Sequence, residues 1–271
     1  MAMMWRWIGA VTAWTVLSLP VGAEDDRSLA DLLRMDDVAK VLRDEGLVYA
    51  NTLETDMLGG DAGSYYRDQI RRLYDAQNMA DAMAQAIDRL SEAEATPSAA
   101  FFASPLGTRI VELELSGRVA MAEPDIEDMA LEAFQSVRTA KTQRLALLRA
   151  FVEANDLIEL NVAGALNSNY EFYRGLVDGG GLEMSENEIT SQVWQDEEGL
   201  REDTENWVFS YLMMSYQPLS DSDLEAYVAY SKSDAGQALN TALFAGFDAM
   251  YRAISYALGR SVAQAMGASD L

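Results

Sequence analysis

Residues 90–107 read LSEAEATPSAAFFASPLG, and residues 219–236 read LSDSDLEAYVAYSKSDAG. The two stretches align without a gap, since both begin with Leu-Ser, carry acids at the same early positions, and end in serine, two variable residues and glycine. Self-similarity of this kind is typical of a chain that contains two copies of one structural unit. The sequence therefore predicts two tandem homologous units, residues 24–138 and 139–271.

The second copy carries the signals of a helix followed by a junction. Ser220 is suited to cap a helix, and the carboxylate of Asp223 can return a hydrogen bond to the cap backbone. Tyr230 then lies near the end of this predicted helix. Ser233 and Gly236 either let a neighbouring helix approach closely or mark a bend between two helices.

The first copy shares this motif but contains a proline. Phe101, Ser104 and Gly107 occupy the positions of the aromatic residue, the serine and the glycine, and Phe102 adds a second aromatic residue. Pro97 lies inside the segment that should be helical, and a proline there lacks the N–H group that the helix needs. We expect this helix to be interrupted or to restart. Both motifs are interpreted as packing and capping elements.

Helical periodicity extends over the rest of the chain, and no segment shows the sustained two-residue alternation of a strand. A long helix is predicted from about Asp234 to Met266, and Met35–Val38 corresponds loosely to Ala154–Leu157 in the second copy. One unit alone could not bury its apolar face, whereas two units could bury theirs against each other. The predicted fold is all-α, with the two units packed as one elongated or pseudo-twofold helical domain.

The motif resembles that of the exported proteobacterial proteins grouped as domain of unknown function 2059. The residues that carry the resemblance are Leu-Ser and nearby acids, followed by Phe101–Gly107 in the first copy and Tyr230–Gly236 in the second. The second copy lacks the second aromatic residue of the pattern. The resemblance implies a small all-helical module with a signal peptide, and it implies no activity.

Residues 1–23 have the composition of a cleavable secretory signal. Arg6 supplies a basic start, Ile8–Leu19 form an apolar run, and Val21-Gly22-Ala23 form a small-residue cleavage pattern. The apolar run is too short for a membrane span, which needs about 20 residues. We expect a periplasmic protein, exported across the inner membrane of a Gram-negative type of cell, with no stable membrane span after cleavage.

The composition excludes several classes of function. The chain has a formal net charge of −24, which disfavours nucleic acid as a partner. It contains no histidine and no cysteine. Nucleophiles activated by histidine, thiol chemistry, and haem or zinc sites that depend on these residues are therefore not expected. The sequence predicts no cofactor and no catalytic residue.

Two acidic features were weighed as sites. The segment Asp178–Glu188 offers oxygen ligands suited to calcium, but it lacks the spacing of an EF-hand loop. A solvated turn before a helix capped by Ser185 explains it better. Paired carboxylates could hydrolyse glycosides, and a single buried glutamate could cleave peptidoglycan. No pair stands out among the 44 acidic residues.

Aromatic and methionine side chains are concentrated between Trp207 and Tyr216. Such a segment is normally part of a core, but it can also line an adaptable apolar groove. The sequence favours a non-catalytic binding or protein-interaction module whose partner is a protein, peptide or lipid. The alternative is a carboxylate-dependent hydrolase or lytic enzyme of the cell envelope.

Overall fold

The computed structural model describes residues 27–195 and 197–269, with the backbone alone for the last two of these. The predicted signal sequence, residues 1–23, lies outside this part of the chain. The described residues form helices and no strand, as the all-α prediction required. The helices are α1 (Leu29–Leu32), α2 (Met35–Leu58), α3 (Gly63–Leu73), α4 (Ala76–Ile87), α5 (Glu92–Ala103), α6 (Pro105–Met121), α7 (Pro124–Val137), α8 (Gln143–Ala154), α9 (Leu157–Asp178), α10 (Glu186–Trp194), α11 (Glu197–Ser215), α12 (Asp221–Ser231) and α13 (Asp234–Ser269).

Most helix starts follow from local capping chemistry. Ser220 accepts a hydrogen bond from the backbone N–H of Asp223, whose carboxylate bonds back to the Ser220 backbone. Ser185 and Ser91 begin α10 and α5 with the same reciprocal arrangement. Each of these boxes satisfies backbone N–H groups that have no partner within the helix. The predicted caps at Ser185 and Ser220 are confirmed.

The prediction for Pro97 was wrong. Helix α5 continues through this proline from Glu92 to Ala103. A proline in that position removes one backbone hydrogen bond near the helix start. Ser98, the next residue, is completely buried and bonds to the Glu94 carbonyl and to the Tyr230 hydroxyl. Tertiary contacts on this turn thus hold a helix that the sequence alone disfavours.

Some helix contacts in the first half of the described chain, up to residue 138, have counterparts in the second half, although the extensive packing of α9 on α13 has only a small counterpart in α2 and α6. In the first half α2 packs on α4 and α1 on α5, and in the second half α9 packs on α11 and α8 on α12. Contacts between the halves are reciprocal, because α6 packs on α11 while α13 packs on α4. Arg34 lies between α1 and α2, and Asp156 lies between α8 and α9, and both have a left-handed backbone conformation. Matching Arg34 to Asp156 pairs Met35 with Leu157, whereas the sequence prediction paired Met35 with Ala154.

The closest helix pair is α9 with α13, and glycines bring them together. A β-carbon added to Gly175 would lie 2.2 Å from the Tyr256 carbonyl oxygen, and one added to Gly259 would lie 2.1 Å from that of Phe172. The backbones therefore touch at both positions, which only residues without a side chain permit. Helix α13 also packs on α2, α3, α4 and α5, so that it contacts both halves.

Among the described residues, none of the helices combines the length and the apolar character that crossing a bilayer would require.

Candidate ligand-binding cavity

A cavity of about 180 Å³ lies where the two halves meet. Its walls come from α2, α5 and α6 in the first half and from α8, α9, α11, α12 and α13 in the second. Most lining residues are aliphatic or aromatic. The segment between Trp207 and Tyr216, singled out in the sequence, contributes Trp207, Val208, Tyr211, Leu212 and Tyr216. A cavity of about 150 Å³ with apolar walls is large enough for benzene. This cavity can therefore hold a small organic molecule.

Glu114 of α6 is a carboxylate in this mainly apolar wall, and no other acidic residue is among the described residues that line it. The other polar lining residues are Arg118, Asn155, Asn161, Ser231 and Asn240. The hydroxyls of Tyr216 and Tyr227 both donate hydrogen bonds to its Oε1 atom, the latter over 3.1 Å. The Tyr211 hydroxyl donates to the Glu114 backbone carbonyl at 2.7 Å. Three tyrosines thus fix the position of this turn of α6.

Burial raises the pKa of the Glu114 carboxyl to about 7, although the two tyrosine hydrogen bonds oppose this shift. The side chain keeps some accessible surface. Glu114 is among the residues that line the cavity, so a ligand bound there would lie beside it. A carboxyl in such surroundings is easier to protonate than one in water. No ion pair compensates its charge among the described residues.

Arg118, one turn further along α6, is the cation of the cavity wall, and it is already paired. Its guanidinium donates to both carboxylate oxygens of Glu45 on α2, over 3.0 and 2.8 Å, and both side chains are buried. The guanidinium also lies over the Trp207 ring, 5.7 Å from its centroid. A bidentate pair of this kind is electrically neutral as a unit. It therefore leaves the charge of Glu114 uncompensated.

Aromatic rings surround the carboxyl of Glu114. The Phe151 ring lies 4.7 Å from that of Tyr227 and 5.7 Å from that of Tyr216, measured between centroids. The Tyr216 and Tyr227 rings lie 6.0 Å apart and nearly perpendicular. Burial raises the pKa of both tyrosine hydroxyls well above its ordinary value, so they remain hydrogen-bond donors.

The repeated motifs meet at the edge of this cavity. The rings of Phe101 and Tyr230, which occupy equivalent motif positions, stack with centroids 4.1 Å apart. Phe102 packs edge-on against Tyr230 at 5.4 Å, and both line the cavity. The Tyr230 hydroxyl donates to Ser98 at 2.9 Å. The motif aromatics are therefore one continuous cluster at the contact between the halves.

The serines and glycines of the motifs form two matching helix junctions. Ser104 donates to the Phe101 carbonyl at 2.6 Å and accepts from the Gly107 N–H at 3.0 Å. Ser233 makes the same two bonds, to the Tyr230 carbonyl and from the Gly236 N–H. A β-carbon on either glycine would lie 2.1 Å from the carbonyl oxygen that its serine bonds. These four residues shape the bends between α5 and α6 and between α12 and α13.

The acidic segment Asp178–Glu188 lies apart from the cavity lining. Its residues end α9 and begin α10, and the Glu188 carboxylate bonds to the backbone and hydroxyl of Ser185. Asp178 accepts a hydrogen bond from the Tyr256 hydroxyl at 2.9 Å. Over the described ranges, no group of three or more acidic side chains is arranged to hold a metal ion.

Sequence reasoning missed Glu114 and Arg118. Both lie on the face of α6 that also carries Ile110 and Val111, which are buried. Residues three and four apart share a helix face, so charged residues at these positions interrupt an apolar stripe. That interruption is the signal by which they could have been found.

Comparison of the chain with protein-family models, with curated proteins and with solved structures finds no match. The resemblance to domain of unknown function 2059 thus remains a prediction based on the motif residues.

Proposed function

We propose that this protein is a non-catalytic binding protein that takes a small, mainly apolar ligand into the cavity between its two halves. The observation that carries the proposal is the cavity itself, about 180 Å³ in volume and lined by aromatic and aliphatic side chains from both halves. Sites for small molecules have this composition, with few polar groups among apolar walls. Burial of apolar ligand surface would supply the binding energy.

A route for the ligand is consistent with the exposure of the walls. Val41, Leu157, Leu243 and Phe244 line the cavity but are only partly buried, and they lie on α2, α9 and α13. The ligand would enter between these helices. A ligand that contacts α6 together with α13 would also bridge the halves and stabilise their contact.

The alternative, a carboxylate-dependent hydrolase, has one supporting feature, since Glu114 is a buried glutamate whose raised pKa suits a general acid, but it otherwise has less support. Cleavage of a glycosidic bond generally requires two carboxyl groups on opposite sides of the bond. Glu114 lies in the cavity without a second carboxylate among its described lining residues, and Glu45 is held by Arg118.

We also propose that the protein is periplasmic after removal of residues 1–23, and that its halves descend from one duplicated unit. The composition of the N-terminal segment supports the first proposal. The matching junctions at Ser104 and Ser233, together with the reciprocal packing of α6 and α13, support the second. The mass of the mature protein tests cleavage after Ala23.

Native mass spectrometry tests the binding function. The protein purified from its natural compartment should carry an additional mass that is lost on denaturation. The Val38→Phe substitution fills the cavity and should abolish the additional mass, because Val38 is a buried lining residue. Val48→Phe, the same change on the solvent side of α2, is the matched control and should leave it unchanged. Loss of the mass in both variants, or in neither, would refute the cavity as the site.

A further inference from the structure

We propose that the ligand is an organic amine, bound in its protonated form with the ammonium group against Glu114 and the apolar body among the aromatic rings. This inference rests on the proposed binding function and specifies its ligand class.

Among the described residues, hydrogen-bond donors reach only one of the two carboxylate oxygens of Glu114. Both tyrosine hydroxyls donate to Oε1, and no described residue donates to Oε2. Oε2 is not one of the fully buried polar atoms that lack a partner, so it stays accessible beside the cavity. A ligand that brings a donor to Oε2 adds a hydrogen bond to the carboxylate. A cationic donor gains the most, since hydrogen bonds between charged groups are the strongest.

The charges around Glu114 favour a cationic group on the ligand. Arg118 is held by both oxygens of Glu45, so the pair contributes no net charge to the cavity wall. Glu114 therefore gives the cavity a negative charge when it is ionised. The whole protein carries a formal charge of −24, which attracts cations and repels anions such as fatty acids. Charge complementarity thus favours an ammonium over a carboxylate as the ligand's polar group.

Aromatic rings form the part of the cavity wall beside Glu114. The rings of Phe151, Tyr216 and Tyr227 lie within 6.0 Å of one another beside the carboxyl. Ring faces attract cations through their quadrupole, and ammonium ligands are commonly held in such aromatic enclosures. The rings also bury the apolar part of the ligand.

The amine should bind more tightly as the pH rises through neutrality. Glu114 loses its proton in that range, while the amine stays protonated up to about pH 10, because its pKa is close to that of a lysine side chain. The tyrosines that face Glu114 keep their protons and the arginine stays cationic in that range, whereas burial raises the pKa of Glu45 against the opposing effect of Arg118. These groups are Tyr211, Tyr216 and Tyr227, the Arg118–Glu45 pair, and Tyr230 at the cavity edge.

Isothermal titration with benzylamine and benzyl alcohol tests the proposal on the intact protein. The two probes have the same shape and differ in charge, and both fit a cavity that exceeds the volume needed for benzene. We expect benzylamine to bind the unaltered protein at least about tenfold more tightly than benzyl alcohol near pH 8, with a smaller advantage near pH 5.5. Glu114→Gln should remove the amine's advantage and keep the binding of the alcohol.

The control variant is Glu132→Gln, which changes an exposed acid on α7 and lowers the net negative charge by the same amount. It should bind both probes as the unaltered protein does. Equal affinity for the two probes, or an amine advantage that survives Glu114→Gln, would overturn the amine proposal and leave the cavity's binding function intact. If neither probe binds any variant, the proposed function fails together with it.

Discussion

Replacing Glu114 with glutamine should change how the stability of the protein depends on pH. Glutamine keeps an oxygen that can accept the hydroxyl bonds of Tyr216 and Tyr227 but cannot ionise. In the unaltered protein the pKa of Glu114 is about 7 in the folded state and near its ordinary value of 4.5 when unfolded. The substitution removes this difference and leaves the shape of the site nearly unchanged.

The magnitude follows from the raised pKa. Below about pH 4.5 Glu114 is protonated in both states, and its contribution to stability is fully present. As the pH rises through about 7, the folded protein must hold a charged carboxylate in the cavity, and the contribution is lost. The difference between the two pKa values corresponds to about 3 kcal/mol, and access of solvent through the cavity would reduce it to about 2 kcal/mol.

Urea unfolding followed by circular dichroism measures the effect at a series of pH values between about 4.5 and 8.5. The free energy of unfolding of Glu114→Gln, relative to the unaltered protein, should rise by about 2–3 kcal/mol across this range. Comparing the two proteins cancels the titration of other carboxylates that lie far from the cavity. A relative stability that stays constant to within about 0.5 kcal/mol would refute the assignment of Glu114 as a carboxyl with a raised pKa.

Three further substitutions test the packing. Gly175→Ala should lower the free energy of unfolding by about 1–3 kcal/mol, because its new methyl group meets the backbone of α13. Gly267→Ala is the control and should cause no loss, since there is open space around Gly267. Equal effects of the two substitutions in a urea titration would contradict the close contact of α9 with α13. Glu45→Gln should cost about 3–5 kcal/mol by leaving the buried Arg118 without its carboxylate, and a loss below about 1 kcal/mol in the same assay would show that the pair is not buried. Ser233→Ala should lower the thermal midpoint by an amount that corresponds to about 1 kcal/mol, since it removes the cap of α13; an unchanged midpoint in calorimetry would argue against that cap.

The sequence revealed those parts of the fold that depend on local chemistry. The cap at Ser220 needs only its own hydroxyl and the carboxylate of Asp223, so the sequence suffices to predict it. The long helix from Asp234 also follows from its periodicity, and it extends to Ser269. The interpretation of Ser104 and Ser233 as packing and capping elements likewise used only local chemistry, since each hydroxyl bonds to a carbonyl three residues earlier.

The parts that failed depend on residues far apart in the chain. Helix α5 tolerates Pro97 because Tyr230 and other distant residues pack on the following turn. The role of Glu114 becomes visible only when α11 and α12 bring their tyrosines to it. No pattern within one segment of the sequence predicts which apolar helix faces will pack against each other. A cavity between helices is therefore beyond single-sequence reasoning, even where each helix is predicted correctly.

The position of α13 in the chain has a consequence for biosynthesis. It is the last helix described, it is 36 residues long, and it packs on helices of both halves, including α2 near the start of the described chain. Contacts between residues so distant in sequence form late, since the intervening chain must first be brought together. A ribosome delivers the chain in the order of its sequence, so α2, α4 and α9 remain without their common partner until α13 has been synthesised. Until then the apolar surface that α13 covers stays accessible to chaperones.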